Sequence, residues 1–132
     1  MTTIAAGLRT YLIAGATVAT LVGTRVYPSK LPQKPTLPAI SYQRISGDRV
    51  HSTDGASGLA RIQFQIDVWG STYGSVDALF EAVRKRLDGY RGAVGAIVTQ
   101  GIFLERERDM YDDEAELYRR SADFTVWTEE ST

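Results

Sequence analysis

Between Leu59 and Trp69 the residue types alternate without a break. Ile62, Phe64, Ile66 and Val68 are apolar, while Arg61, Gln63, Gln65 and Asp67 are polar. A period of two is strand geometry, and a strand in such strict phase packs one face on a core and leaves the other to water or a partner. Strand neighbours joined by loops rather than helices argue for antiparallel pairing.

The other segments assemble around that strand. Ile4, Leu8, Tyr11 and Leu12 stand at helical spacing, with Thr2 or Thr3 as N-cap and Gly15 as stop. A shorter apolar turn runs from Thr17 to Gly23. The prolines from Pro28 to Pro38 block regular pairing and imply an extended connection over the surface. Ala39–Ser46 reads as a strand, followed by a long polar loop, Gly47–Gly58. Ser71 or Thr72 caps a second helix whose apolar stripe is Val76, Leu79, Phe80, Val83 and Leu87, with Glu81 and Lys85 ordered for an i,i+4 pair. Two last strands cover roughly Ala96–Asp109 and Glu116–Thr128, joined by a turn. The expectation is a single α+β domain over all 132 residues. It has an antiparallel sheet of about four strands, two main helices on one face, a long β–β loop and a projecting C-terminal hairpin.

Charge and composition narrow the function. A net charge of −1 argues against a dedicated phosphate-backbone binder, which carries a basic excess. No cysteine is present, which excludes disulfides and thiolate metal sites. The apolar run Tyr11–Val22 is too short to span a bilayer. A signal peptide is the rival reading, with Ala16 and Ala19 near a cleavage point, but Arg9 does not make a basic n-region at the start.

Chemistry is sparse. His51, the one histidine, lies in the polar loop with no second histidine or cysteine to share a metal, and reads as a solvated side chain. No Gly-x-Ser-x-Gly elbow and no phosphate-cradling glycine loop is present. The acidic cluster Asp109, Asp112, Asp113, Glu114 and Glu116 does not have calcium-loop spacing and reads as a hairpin tip: a solvated turn or a charged contact surface. In Glu105-Arg106-Glu107-Arg108 each strand face carries two like charges, so neither is core-like and this half of the hairpin is expected to project toward a partner. Trp69 and Trp127 lie at strand ends in phase with the polar residues, as sheet-edge shields or as interface anchors. The candidate contact residues are therefore Asp48, Arg49, Val50 and His51 in the loop, Arg106, Arg108 and Arg119 on the hairpin, and the two tryptophans. The loop is expected to be mobile in a free subunit and to order on assembly.

Taken in order, the chain resembles the small tail completion proteins of long-tailed phages, also called tail terminator or tail-to-head joining proteins. The resemblance runs through Val22-Gly23-Thr24-Arg25-Val26-Tyr27-Pro28, then Leu37-Pro38 leading into Ile40-Ser41-Tyr42-Gln43-Arg44-Ile45-Ser46-Gly47. It continues at Phe64-Gln65-Ile66-Asp67-Val68-Trp69 with Thr72-Tyr73, and closes on Leu117-Tyr118-Arg119-Arg120-Ser121-Ala122-Asp123-Phe124-Thr125-Val126-Trp127. Members often carry an aromatic residue or histidine after the last tryptophan, where this chain has Thr128. The resemblance implies an α+β fold with no catalysis and no cofactor. It implies a ring of copies of this chain, commonly hexameric, that sits on the tail tube protein below the head connector, or stopper, and passes duplex DNA without sequence preference. That places it at the head-proximal end of the virion tail, after assembly in the host cytoplasm, with no membrane partner. A channel for sliding DNA calls for a neutral or acidic lining, for which Asp109, Asp112, Asp113 and Glu114 at the hairpin tip are candidates; a docking charge for the tube is the other reading. The runner-up from a different class is a cytoplasmic small-molecule enzyme or binding protein with a helix-on-sheet core. A baseplate or tube subunit is a third reading.

Overall fold

The computed structural model describes residues 3–52 and 55–129, with the main chain alone for 50–52 and 55–57. In order along the chain it has α1 (Ile4–Ala14), α2 (Ala16–Val22), β1 (Val26–Pro28), β2 (Ala39–Ser52), β3 (Gly55–Gly70), α3 (Tyr73–Leu87), β4 (Gly92–Val94), β5 (Ile97–Asp112) and β6 (Leu117–Glu129). The strands form one six-stranded sheet in the order β1-β2-β3-β6-β5-β4. Every neighbouring pair is antiparallel except β1 with β2, which is parallel.

The expected four-stranded antiparallel sheet with two main helices is thus corrected to a mixed sheet of six strands with three helices. The two additional strands, β1 and β4, are three residues each, too short to show a period. A parallel neighbour needs a crossover, and the proline-rich stretch 29–38 supplies it. The long loop Gly47–Gly58 is also corrected. Pairing between β2 and β3 continues through Asp48↔Arg61, Arg49↔Ala60, His51↔Ala56 and Ser52↔Gly55. Glycine, serine and aspartate are poor strand formers, but main-chain hydrogen bonds need no side chain, and the pairing started at Ala39↔Trp69 carries them along.

The alternation in β3 is realised as read. Ile62, Phe64, Ile66 and Val68 are fully buried against the helices. The same core takes Ala122, Phe124 and Val126 from β6, the α3 stripe Val76, Leu79, Phe80, Val83 and Leu87, and Ile4, Leu8 and Leu12 from α1. Burying a Leu, Ile or Phe side chain contributes roughly 1.5–3 kcal/mol each, so this single cluster dominates the stability.

The helix ends follow their capping residues. The Thr3 hydroxyl accepts from the Ala6 N–H, and the Thr72 hydroxyl from the Ser75 N–H. Gly15 breaks α1 from α2, which meet at 88°, and no single helix among the described residues is long and apolar enough to cross a membrane. Arg86 of α3 fills the break. Its guanidinium donates twice to the Tyr11 carbonyl, at 3.0 and 2.9 Å, and lies 3.6 Å from the centre of the Tyr11 ring. An arginine is thereby placed on the carbonyl end of a helix, the favourable pole for a cation. Glu81 pairs with Arg84 at 2.8 Å, three residues on, rather than with Lys85. The other close seam is glycine on glycine. Gly7 of α1 lies against the turn after β4, where Gly95 has φ +63°, and a Cβ on Gly7 would collide with the Val94 carbonyl oxygen.

Candidate functional site

Among the described residues no helix packs on the sheet face away from α1, α2 and α3, and part of each long sheet margin has no neighbouring strand. On the open face, cross-strand register brings Arg61 beside Trp127, Gln63 beside Thr125, Gln65 beside Asp123, Asp67 beside Ser121 and Trp69 beside Arg119. Both tryptophans are therefore on the helix-free face, half-buried. The Trp69 indole N–H donates to the Ser41 hydroxyl at 2.9 Å, and the Arg119 guanidinium lies 5.0 Å from the centre of its ring. Arg119 also reaches the Met110 sulfur at 3.0 Å. Ser121 and Thr125 are buried on this polar face, and their hydroxyls have no partner among the described residues.

Each expected contact residue can now be placed. Asp48 lies on the open face and pairs with Arg61 at 3.2 Å; both are solvent-exposed, so the pair contributes little to stability. Arg49 stands next in β2, opposite Ala60. The side chains of Val50 and His51 lie outside the described residues. Arg106 pairs with Asp123 at 3.3 Å, and Arg108 stands exposed opposite Ser121. These residues do not converge on one spot. Asp48 and Arg49 belong to one margin of the sheet and Arg106 and Arg108 to the other.

The acidic cluster separates into two parts. Asp109 is not at the tip but within β5, directly opposite Arg120. Arg120 donates to Asp109 at 2.6 Å, to Asp77 of α3 at 2.9 Å and to the Tyr73 hydroxyl at 2.9 Å, while the Tyr73 hydroxyl donates to Asp109 at 2.9 Å. The Arg120 hydrogen bond, helped by Tyr73, holds the Asp109 carboxyl below the usual range, and the Asp109 carboxylate raises the Tyr73 phenol. Arg120 itself is held charged, chiefly by its hydrogen bonds to the carboxylates. The C-terminal hairpin is accordingly tied to α3 along this half, which corrects the expectation of a free arm. The part of the sheet that runs beyond a third strand is instead the β2–β3 hairpin, because β6 reaches only Leu59 through Glu129 among the described residues.

The real tip is Asp113–Glu116. The Asp112 carboxylate accepts from the Glu114 and Ala115 N–H groups at 3.0 and 3.1 Å, fixing the turn. Asp113 and Glu114 are exposed. Arg120 was missed by sequence reasoning, although the signal was present: it falls in the same phase as Ala122, Phe124 and Val126, where a charge requires a partner.

Among the described residues no group of three or more His, Asp or Glu has metal-binding geometry. The clefts are open. One of about 490 Å³ lies between the proline-rich stretch and the hairpin tip, lined by Leu31, Pro35, Asp67, Trp69, Leu117 and Arg119 among others. It holds no arrangement of nucleophile, base and orienting group.

Comparison with known proteins places this geometry. The family model described as tail completion protein gp17 matches residues 6–129. No curated protein sequence matches. Among solved structures, a chain from "Virion of native gene transfer agent (GTA) particle" is 24% identical with a TM-score of 0.74, covering 96% of this chain and 94% of that one; it shows the fold is shared. A second, titled "Structure of without transmembrane region from Akkermansia muciniphila", is 11% identical over 68% of this chain and 46% of that one, with a TM-score of 0.34, too low to support an argument.

Proposed function

The chain belongs to the tail completion protein gp17 family, and from that membership we propose that it closes the head-proximal end of a phage tail as a ring of identical subunits. It is a structural protein of the virion tail. In the proposed role the ring, commonly hexameric in the resemblance above, caps the tail tube, binds the head connector and leaves a channel through which duplex DNA passes. Its work is assembly rather than catalysis, carried out in the host cytoplasm and retained in the virion. The observation that carries this is the family match from residue 6 to residue 129, which spans nearly the whole domain.

Several features support it. Closed rings need two different patches on each subunit, and this chain has contact candidates on opposite margins of its sheet. The exposed carboxylates of Asp113 and Glu114 at the hairpin tip suit either a channel that must not hold phosphates or a docking charge for the tube. The half-buried Trp69 and Trp127 suit interface anchors. The test is native mass and electron microscopy of the full chain, alone and with tail tubes that lack it. Rings that appear on one end of each tube and restore joining to heads are expected. Coating along the tube, or binding at the opposite end, would overturn the reading.

A further inference from the structure

Each long margin of the sheet has a stretch with no neighbouring strand among the described residues, and the two stretches lie at diagonally opposite corners. On the β2 side, β1 pairs only with Ile40–Tyr42, and Ser29 donates to the Tyr42 carbonyl at 2.7 Å. Above that point no strand pairs with Gln43–Arg49 on this side among the described residues. On the β5 side, β4 pairs only with Ile97–Thr99. The turn after α3 then takes over: Gly89 and Tyr90 exchange hydrogen bonds with Ile102, and the Asp88 carboxylate accepts from the Leu104 N–H. Beyond it, no strand pairs with Glu105–Asp112 on this side among the described residues.

Exposed margins of this length invite pairing with another chain, and monomers normally block them. Here the chain blocks the margin at one corner of each side and leaves the other open. Each open stretch begins near a bulge, between Arg44 and Ser46 in β2 and between Leu104 and Arg106 in β5. The bulged Ile45 is 42% exposed, an apolar side chain on a margin that a monomer would keep polar.

Building on the ring reading, we infer that the ring closes by sheet extension: Gln43–Arg49 of one copy pairs antiparallel with Glu105–Asp112 of the next. Direction agrees. The intervening pairs β2–β3, β3–β6 and β6–β5 are all antiparallel, so β2 and β5 run oppositely. Copies related by rotation about an axis from which the strands tilt, as in a closed barrel, therefore meet antiparallel, with no break in the pattern. Charge and face agree in one register. Asp48 and Arg108 both lie on the helix-free face, opposite Arg61 and Ser121. Arg49 and Glu107 both lie on the helix-bearing face, opposite Ala60 and Ala122. Setting Asp48 beside the neighbour's Arg108 sets Arg49 beside the neighbour's Glu107, opposite charges on both faces, and cross-strand pairs of opposite sign are favourable. The diagonal placement means that each copy is staggered against the next, the shear that a sheet needs to close on itself.

The same register places Ser46 beside the neighbour's Met110, both on the helix-free face. The natural chain has no cysteine, so Ser46→Cys and Met110→Cys give a clean cross-linking test. Within one chain the two positions are three strand spacings apart laterally, roughly 14 Å, and further apart along the strands, beyond the reach of a disulfide. After mild oxidation, the full chain carrying both substitutions is expected to run as a covalent ladder that ends at the native ring, while each single variant stays uncross-linked. Covalent dimers from a single variant would overturn the proposal, since like margins would then pair with each other. An uncross-linked double variant that still forms rings would overturn edge pairing and leave the ring standing. Failure to form rings on or off tail tubes would remove both. If the double variant melts well below the natural chain, the charge exchange is read instead. Arg108→Asp and Asp48→Arg should each weaken ring formation about tenfold, and combining them should restore it; failure of the combination to restore it would overturn the register.

Discussion

Arg120 on β6 and Asp77 on α3, 43 positions apart in the chain, meet at 2.9 Å. The same guanidinium holds Asp109 on β5 and the Tyr73 hydroxyl at the start of α3. One nearly buried cation thus fixes the helix, the central strand and the outer strand at a set distance, and the far half of the C-terminal hairpin is positioned by it.

Replacing Arg120 with methionine keeps most of the stem and removes the charge. Its partner carboxylates are about half exposed, so they recover water and the cost is less than for a fully buried pair. The expected loss is about 1–2 kcal/mol, read as a lower urea midpoint with an unchanged slope. A variant as stable as the natural chain would show that the network holds position without contributing stability.

The Asp109 carboxyl has a lowered pKa in the folded chain because it accepts from Arg120 and Tyr73. It therefore contributes stability above the ordinary aspartate range, and that contribution is lost as pH falls through the lowered value. Asp109→Asn removes the titrating group. The melting temperature of the natural chain should fall more steeply than that of the variant when pH is taken from 5 to about 3. Equal slopes would show that Asp109 is not a pH-linked contact.

At the hairpin tip, Asp112 has a structural duty, so charge reversal there would confound turn formation with function. Asp113→Lys with Glu114→Lys spares the turn. If the tip lines a DNA channel, tails still join heads and DNA exit slows, with the defect easing as salt rises. If it docks a partner, joining fails. Normal joining and normal exit would reduce the tip to a solvated turn.

Trp127 lies half-buried on the helix-free face, outside the core formed by Phe124 and Val126. Trp127→Ala should leave the isolated subunit folded and weaken assembly by about 2 kcal/mol or more. Gross unfolding would place it in the core instead.

Gly7 is required where α1 crosses β4, because a Cβ there meets the Val94 carbonyl. Gly7→Ala should destabilise the domain by about 1–3 kcal/mol through forced displacement of the helix, despite the better helix propensity of alanine. Calorimetry decides it; a stabilised variant would mean that the seam yields freely.

What the sequence disclosed follows physical lines. The phase of β3, the apolar stripe of α3, the Thr72 cap and the Gly15 break were all legible, because periodicity and capping are local. The six-stranded order was not. β1 and β4 are three-residue strands that exist only because a neighbour is present. The glycine- and serine-rich stretch 47–58 has the composition of a loop, yet register carries the main chain of 47–52 and 55–58 into β2 and β3. Of the candidate site, the tryptophans were placed on the polar face correctly. The grouping of Asp109 with Asp112 and Asp113 failed because chain proximity concealed Arg120, the partner that Asp109 faces across the strand.

The sheet is two local hairpins, β2–β3 and β5–β6, stitched by the single seam between β3 and β6. Each hairpin closes over a short span, while the seam joins Phe64 to Phe124 across α3 and both strands that follow it. The cost of that long closure is met before the seam gains its own contacts. Docking of the two halves is then the step expected to limit the folding rate of each subunit. Trimming Phe64 or Phe124 should retard refolding, whereas changes at Asp113 or Glu114 should leave its rate untouched. A phage that must supply many tails in one infection cycle would feel such a delay as a shortage of finished particles.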